Sequence, residues 1–185
     1  MFLKIILHTL LIFTVRFFFL LFLSCTLLCC GNSAKPKPPV DQLRLKSELE
    51  KVNKYEVEKE QDEIGQYITH HQWLMEKTGS GLRYMILKKG NGKSPVSGNI
   101  VKVNYTISLL DGTVCYSSMK DGPYEFKVEG DEVESGLHEA VQLMHLGEKS
   151  KFILPSFLAH GLHGDDGRIP PLSSIEVDLE LLEIL

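Results

Sequence analysis

The sequence predicts an α+β fold in which a curved antiparallel β-sheet wraps around one short helix, with an N-terminal helical extension. Apolar and polar residues alternate in several stretches after residue 81, as is typical of strands with one buried face. One stretch among them, 136–144, instead carries its apolar residues at helical spacing. Before residue 78 the chain is highly charged and has helical periodicity, which predicts the extension.

Bulk composition limits the classes of protein that this chain represents. The chain has 185 residues, of which 43% are hydrophobic, so at least part of it has enough apolar surface for a packed core. That length favours one domain with appendages. The formal net charge is −4 and no basic patch stands out, so the sequence does not support nucleic-acid binding.

The first 30 residues have the pattern of an export signal. Lys4 and Arg16 precede an apolar run that extends from Phe17 to Cys30. A basic segment followed by a short apolar segment is typical of a secretory signal, and this run is shorter than the ~20 residues that a bilayer span needs. We therefore predict that residues 1–29 form a lipoprotein signal peptide.

The end of this run resembles a bacterial lipobox, in which a cysteine is lipidated and becomes the mature N-terminus. Residues 27–30 read Leu-Leu-Cys-Cys, so Cys30 is the predicted lipidation site. Cys25 is the alternative site, and an uncleaved anchor is a third reading. Acyl chains would attach the protein firmly to a membrane. Residues 30–40 are then the lipid anchor and a proline-rich, extended linker.

Residues 41–78 form the predicted helical extension, as one or two amphipathic helices with a weak point near Gly65. Apolar residues recur at three–four spacing at Leu45, Leu49, Val52, Ile64, Tyr67 and Ile68. Three readings stay open: the helix packs on its own domain, forms a solvated spacer, or dimerises through residues 41–77. Glu56 and Glu60 interrupt the apolar stripe, which weakens the coiled-coil reading. Trp73 is expected to pack the helix onto the domain.

Further along the chain, the predicted elements follow in a fixed order. The first long strand has one apolar face, formed by Val101, Val103, Tyr105, Ile107 and Leu109. Asp111 and Gly112 predict a hairpin turn, because glycine tolerates positive φ. A strand at 124–128, the short helix at 136–144, a strand at 152–154 and a long strand at 175–181 complete the fold.

These segments together resemble the FKBP family. The resemblance covers residues 98–185 and rests on collinear fragments at 101–105, 110–113, 136–144, 147–148, 153–155, 159–161, 169–171 and 177–181. It implies an FKBP-type domain over residues 81–185. Residues 113–117 and 160–165 look closest to the gliding-motility-associated lipoproteins of the family.

The resemblance implies a peptidyl-prolyl cis-trans isomerase that acts on proline-containing polypeptides. Together with the predicted signal peptide and lipid anchor, this leads us to expect a membrane-anchored protein that faces the periplasm and acts on exported proteins at the cell envelope. Isomerisation about the Xaa-Pro bond needs no nucleophile, metal or cofactor, and we expect none. His160, His163 and Asp165 in a glycine-rich loop could suggest a metal site, but histidines in such loops are more often surface or pocket-rim groups.

The resemblance also implies which side chains form the proline-binding cup. Four positions match the family pattern, namely Tyr105, Phe126, Val133 and Ile169, and Tyr124 matches with tyrosine in place of phenylalanine. Glu134 replaces an isoleucine whose backbone N–H, rather than its side chain, is used by the family.

Five further positions carry substitutions relative to the family. These are Cys115 for Phe, Tyr116 for Asp, Leu137 for an aromatic residue, His160 for Tyr and Val177 for Phe. The usual pocket arginine has no counterpart near residue 120. We therefore predict a wider, less aromatic cup with reduced activity. The alternative is a non-catalytic proline-binding or chaperone subunit of an envelope machine for motility or secretion.

Overall fold

A seven-stranded antiparallel sheet holds most of the described chain together. The computed structural model describes residues 42–185. The predicted signal peptide, the linker at 30–40 and both candidate lipidation sites, Cys25 and Cys30, lie outside the described residues. The elements are α1 (Gln42–His70), β1 (Glu76–Lys77), β2 (Arg83–Lys88), β3 (Ile100–Leu109), β4 (Val114–Ser117), α2 (Ser118–Asp121), β5 (Tyr124–Lys127), α3 (Ser135–Leu143), β6 (Lys149–Leu154), a 3-10 turn (Ser156–Leu158) and β7 (Ile175–Ile184).

The strands follow the spatial order β1-β2-β6-β7-β3-β4. Strand β3 pairs with β4 through residues 106–108 and with β5 through residues 100–103. The long central pair, β3 and β7, aligns Tyr105 with Leu179 and Ile107 with Val177. Side chains on alternate positions of a strand share a face, so these four point to the same side of the sheet. The predicted curved antiparallel sheet on one helix is therefore confirmed.

The main core lies between this face of the sheet and α3. Ala140, Val141 and Met144 are fully buried, as the helical spacing of the sequence predicts. Gly136 is needed at the start of α3, because a Cβ there would lie 2.6 Å from the carbonyl oxygen of Leu158. The helix therefore approaches the 3-10 turn more closely than any larger residue would allow.

The predicted turn after β3 has the expected chemistry. Gly112 has a φ of 88°, a left-handed conformation that glycine adopts without strain. The side chain of Asp111 accepts a hydrogen bond from the N–H of Thr113 at 2.8 Å, and Leu109 donates to the carbonyl of Thr113 at 2.9 Å. The hairpin predicted from Asp111 and Gly112 is confirmed.

The helical extension is a single helix, which is one of the two alternatives that the sequence left open, and it differs from the prediction only at its C-terminal end. Helix α1 is continuous through Gly65 and ends at His70. Glu76 and Lys77, predicted to be helical, instead form β1 and pair with β2. A glycine costs a helix about 1 kcal/mol relative to alanine, and the contacts of α1 with the domain outweigh that penalty.

The second half of α1 packs against the sheet face opposite the main core. Ile64 is fully buried, and the hydroxyl of Tyr67 donates to Glu176 on β7 at 2.7 Å. Trp73, which follows the helix, stacks on His71 with ring centroids 4.5 Å apart and lies 4.9 Å from the ammonium of Lys151 on β6. Trp73 therefore contacts both the helical segment and the sheet, as predicted.

Residues Lys46–Leu185 form one compact unit. Neither α1 nor any other helix in the described range 42–185 combines the length and the apolar composition needed to cross a membrane.

Candidate functional site

An apolar cavity of about 320 Å³ opens on the main-core side of the sheet. Its strand wall consists of the inward side chains of β3, β5 and β7: Val103, Tyr105, Ile107, Tyr124, Phe126, Val177 and Leu179. Its volume is at the lower end of the range for small-ligand sites, which is about 300–1,000 Å³. The strands place these side chains together because each contributes alternate residues to one face.

Aromatic rings follow one another along the strand wall. Tyr105 meets Tyr124 edge to face at 6.4 Å, and Tyr124 stacks on Phe126 at 6.0 Å. Helix α3 contributes Leu137 to the lining. Phe126 is 4% exposed, whereas Tyr124 is 42% exposed. Phe126 therefore serves the core as well as the cavity, and Tyr124 presents its ring to an incoming ligand.

The segment between β5 and α3 brings Glu132, Val133 and Glu134 to the cavity. His138 on α3 holds that segment, because its Nδ1 accepts from the N–H of Glu129 at 3.1 Å. Its Nε2 must then carry the proton, and it lies 3.0 Å from the carbonyl oxygen of Gly130. Both ring nitrogens are thus used in positioning one edge of the cavity.

The remaining wall comes from the long segment between β6 and β7, which we call the late loop (residues 155–174). It brings His160 and Asp165 to the cavity. Oδ2 of Asp165 accepts a hydrogen bond from the hydroxyl of Tyr116. Its Oδ1 accepts from the N–H groups of Gly167 and Ile169. These bonds tie the late loop to itself and to β4.

His160 faces a carboxylate across the cavity mouth. Its Nδ1 lies 3.0 Å from an oxygen of Glu134, and both side chains are partly buried. The contact is an ion pair whenever His160 is protonated. It joins the late loop to the start of α3, so the two walls meet at this point.

Asp165 is held in its ionised form. Burial opposes the charge, but the hydrogen bonds from Tyr116, Ile169 and Gly167, with the nearby His160, outweigh it and lower the pKa of Asp165 to about 2. The same hydrogen bond is the main reason why the pKa of Tyr116 is raised. The tyrosine therefore stays a donor and the aspartate an acceptor over the neutral pH range.

Most residues predicted for the cup line this cavity. Those that do are Tyr105, Tyr116, Tyr124, Phe126, Val133, Glu134, Leu137, His160 and Val177. Cys115 and Ile169 do not: both are 2% exposed and belong to the main core. Cys115 lies behind the wall because its Sγ faces the carbonyls of Thr113 and Arg168, and burial raises the pKa of its thiol.

Sequence reasoning missed Val103, Ile107, Leu179, Glu132 and Asp165. The first three could have been found, since each lies two residues from a predicted wall residue on the same strand face. Asp165 lies in an irregular loop, where no periodicity indicates which side chain turns inward.

Although the usual pocket arginine is missing, the structure places an arginine from another segment near the cavity. A guanidinium is present beside the cavity, but it comes from Arg168 in the late loop. It lies 5.0 Å from the ring of Tyr116 and donates to the carbonyl of Cys115.

Among residues 42–185, no group of three or more His, Cys, Asp and Glu side chains is arranged to hold a metal ion.

Comparison with known proteins shows which family this chain resembles. Residues 91–182 match the family model described as FKBP-type peptidyl-prolyl cis-trans isomerase. The FKBP-type 22 kDa isomerase of Escherichia coli is 43% identical over 109 residues, which are 58% of this chain and 52% of that protein. The FK506-binding protein 1 of Dictyostelium discoideum is 36% identical over 55% of this chain and 96% of its own length.

A solved structure shows the same architecture. The crystal structure of FkpA from Escherichia coli aligns with a TM-score of 0.61 at 29% identity, over 77% of this chain and 67% of that one. The chain spans about half the length of the curated bacterial relatives it matches: 52% of the Escherichia coli 22 kDa isomerase and 40% of FkpA from Aeromonas hydrophila. The small Dictyostelium relative is nevertheless covered almost completely, and the chain belongs to the FKBP-type peptidyl-prolyl cis-trans isomerase family.

Proposed function

We propose that this chain accelerates cis-trans isomerisation of Xaa-Pro bonds and assists the folding of exported proteins at the cell envelope. The observation that carries the proposal is the apolar cavity, with aromatic side chains on its strand wall and Leu137 in its lining, in a chain of this family. Proline-containing polypeptides are the substrate class.

The cavity suits this reaction because the barrier is electronic. Resonance gives the peptide C–N bond partial double-bond character, and rotation about it has a barrier of about 18–20 kcal/mol. A twisted amide has lost that resonance and is less polar along C–N than the planar form. A cavity that binds the proline ring and excludes water favours the twisted form over the planar one.

Specific residues have distinct roles in this proposal. Tyr105, Tyr124 and Phe126 hold the proline ring against the strand wall, and Leu137 supports it from α3. Glu134 is the N-cap residue of α3, and its backbone N–H is assigned to a substrate carbonyl. His160 and Tyr116 form the polar rim with Asp165. None of these steps involves a covalent intermediate.

Isomerisation kinetics on a short Xaa-Pro peptide panel test the proposal directly. The full chain in detergent is compared with Tyr124→Ala, which removes an exposed cavity ring, and with Tyr55→Ala, which removes a ring that is 62% exposed on α1. We expect acceleration by the wild type and the Tyr55→Ala variant, and a loss of about tenfold or more with Tyr124→Ala.

The main rival function is a proline-binding or chaperone subunit that does not turn over, in an envelope machine for motility or secretion. A folded wild-type protein that binds the peptides without accelerating isomerisation would favour it. The narrower resemblance at 113–117 and 160–165 to gliding-motility lipoproteins is the sequence feature that supports this setting.

Membrane attachment through a lipid on Cys30 is part of the same proposal, with the protein facing the periplasm. The lipobox-like residues 27–30 support it. Incorporation of a labelled fatty acid should be lost in Cys30→Ala and retained in Cys25→Ala. The opposite pattern would move the site to Cys25, and retention in both variants, as well as in the double variant, would refute lipidation at either cysteine.

A second copy of this chain is the proposed partner for the first half of α1. Leu49 and Val52 are 54% and 55% exposed on that half. Sedimentation analysis of the full chain in detergent, compared with a Leu49→Lys variant, tests this: a dimer that the variant converts to a monomer supports it, and a wild-type monomer contradicts it.

A further inference from the structure

One carboxylate on α1 reaches the late loop at both of its ends. Oε1 of Glu60 accepts a hydrogen bond from the backbone N–H of Ser156 at 2.6 Å and another from the hydroxyl of Ser174 at 2.7 Å. Ser156 lies two residues after the end of β6, and Ser174 directly precedes β7. The chain therefore leaves the sheet and returns to it at the two points that Glu60 holds.

Glu60 provides the acceptor for the backbone N–H of Ser156, which has no partner within its own turn. Ser156 begins a 3-10 turn, and the first N–H groups of a helical turn have no partner within it. Ser156 is 5% exposed, so solvent has little access to this N–H. A negatively charged acceptor is well suited to such a donor, because charge-assisted hydrogen bonds are stronger than neutral ones.

Glu60 is itself held in place by the helix that carries it. The neighbouring Gln61 accepts from the guanidinium of Arg83 on β2 at 2.9 Å, and Ile64, one turn further on, is fully buried. By contrast, Glu58, two residues earlier, is largely exposed and pairs with the similarly exposed Lys54 at 3.7 Å. Glu60 thus begins the part of α1 that is docked on the domain.

Backbone hydrogen bonds within the late loop connect Ser156 to the part of the loop that lines the cavity. The N–H of Gly161 donates to the carbonyl of Ser156 at 2.8 Å, and the N–H of Leu172 donates to Gly161 at 2.8 Å. His160 directly precedes Gly161, which makes both of these bonds, and its Nδ1 lies 3.0 Å from a carboxylate oxygen of Glu134. A shift at Ser156 would therefore move the cavity wall that His160 belongs to.

We propose that Glu60 is a positioning residue for the isomerase site: through this carboxylate the N-terminal helix holds both ends of the late loop and sets the place of His160 and Asp165 in the cavity wall. The proposal rests on the isomerase function proposed above. Under this proposal, α1 helps to position the cavity wall, in addition to linking the domain to the proposed membrane anchor.

The test compares Glu60→Ala, Glu60→Gln and the matched control Glu58→Ala in the full chain in detergent. Glutamine keeps an oxygen acceptor at nearly the same place, so it should restore part of what alanine loses. Peptide isomerisation gives kcat and KM separately, and hydrogen–deuterium exchange reports on residues 157–172 against the strands β3 and β7.

We expect Glu60→Ala to lower kcat/KM by about tenfold, because small displacements of a binding wall have large effects on rate. Its amides in 157–172 should exchange faster while those of β3 and β7 stay as in the control. Glu60→Gln should lie between Glu60→Ala and the wild type, and Glu58→Ala should match the wild type.

Two outcomes would overturn the proposal. In one, Glu60→Ala behaves like Glu58→Ala in both kinetics and exchange. In the other, exchange rises equally throughout the domain, which indicates general destabilisation. If the wild type itself lacked isomerase activity, the exchange comparison would still decide whether Glu60 holds the late loop, and the failure would concern the proposed function alone.

Discussion

The strand wall and the late loop bound the same cavity, but different contacts hold them. The strand-wall residues lie on β3, β5 and β7, whose backbones are joined by antiparallel pairing. The late loop has no strand partner. Backbone hydrogen bonds within the loop shape it, and side-chain contacts such as those of Glu60, Tyr116 and His160 attach it to the rest of the domain. Strand-wall side chains such as Phe126 also belong to the core, so their loss lowers stability although the ladder keeps the strands in place. The loss of one polar contact can instead displace the late loop with a smaller effect on stability.

This comparison predicts that changes in the strand wall affect stability and activity together, while changes in the late loop affect activity first. Four substitutions test it, from the largest expected effect on stability to the smallest.

Phe126→Ala should have the largest effect. Phe126 is 4% exposed within the main core, and large-to-small substitutions of buried aromatics lower the free energy of unfolding by about 3–5 kcal/mol. Urea denaturation measures the change, with Tyr124→Ala on the same strand as the control. Equal losses for the two variants would contradict the view that Phe126 is core and Tyr124 is surface.

Gly164→Ala should distort the late loop. Gly164 has a φ of 71°, and a Cβ there would collide with the carbonyl oxygen of Ile169 and lie 2.9 Å from the carbonyl carbon of Pro170. Gly98→Ala is the matched control, since Gly98 also has positive φ but nothing lies within 4 Å of its Cβ position.

The left-handed conformation alone disfavours alanine by about 1–2 kcal/mol, and both variants share that term. We expect Gly164→Ala to be less stable than Gly98→Ala and to lose isomerase activity that Gly98→Ala retains. Thermal unfolding and peptide kinetics compare them. Equal activities would show that the late loop tolerates the collision without moving the cavity wall.

Asp165 should make stability depend on pH in acid. Its pKa is about 2 in the folded protein against an ordinary value of 3.8, so the unfolded state binds the proton more readily. The contribution of Asp165 is therefore fully present above about pH 4 and is lost as the pH falls towards 2.

Asp165→Asn removes this contribution, so the difference in stability between wild type and variant should shrink as the pH falls from about 4 to 2. Asp166→Asn is the control, because Asp166 is exposed and adjacent. Urea midpoints at several acid pH values measure the difference. A difference that stays constant across this range would contradict a depressed pKa for Asp165.

Lys102→Ala should have the smallest effect. Lys102 pairs with Glu125 across β3 and β5 at 2.9 Å, on the face away from the cavity. Exposed ion pairs contribute little to stability, so the melting temperature should change by less than about 2 °C. A shift of about 5 °C or more would mean that side-chain charges, and not the backbone ladder, hold the strand wall.

The difference between the walls also explains what could be predicted. Tyr105, Phe126 and Val177 follow from two-residue periodicity and from the family resemblance. The predicted residues of β3, β5 and β7 all line the cavity. On β4, Tyr116 lines the cavity whereas the adjacent Cys115 is buried in the core, because neighbouring side chains of a strand point to opposite faces. Ile169 lies in the late loop, where this alternation does not apply, and it is also buried in the core. The unbroken helix across Gly65 was likewise not predictable from propensity, because docking contacts decide it.

The sequence by itself determined the α+β architecture, the helix spacing of α3, the turn at Asp111 and Gly112, and the family, since these depend on local periodicity, turn chemistry and collinear motifs. Only the tertiary structure decided that Asp165 accepts from Tyr116 and that Glu60 reaches Ser156 and Ser174, 96 and 114 residues away. The physical reason is that a polar contact between distant segments requires both to be placed by the rest of the fold, and no local pattern of residues specifies that placement.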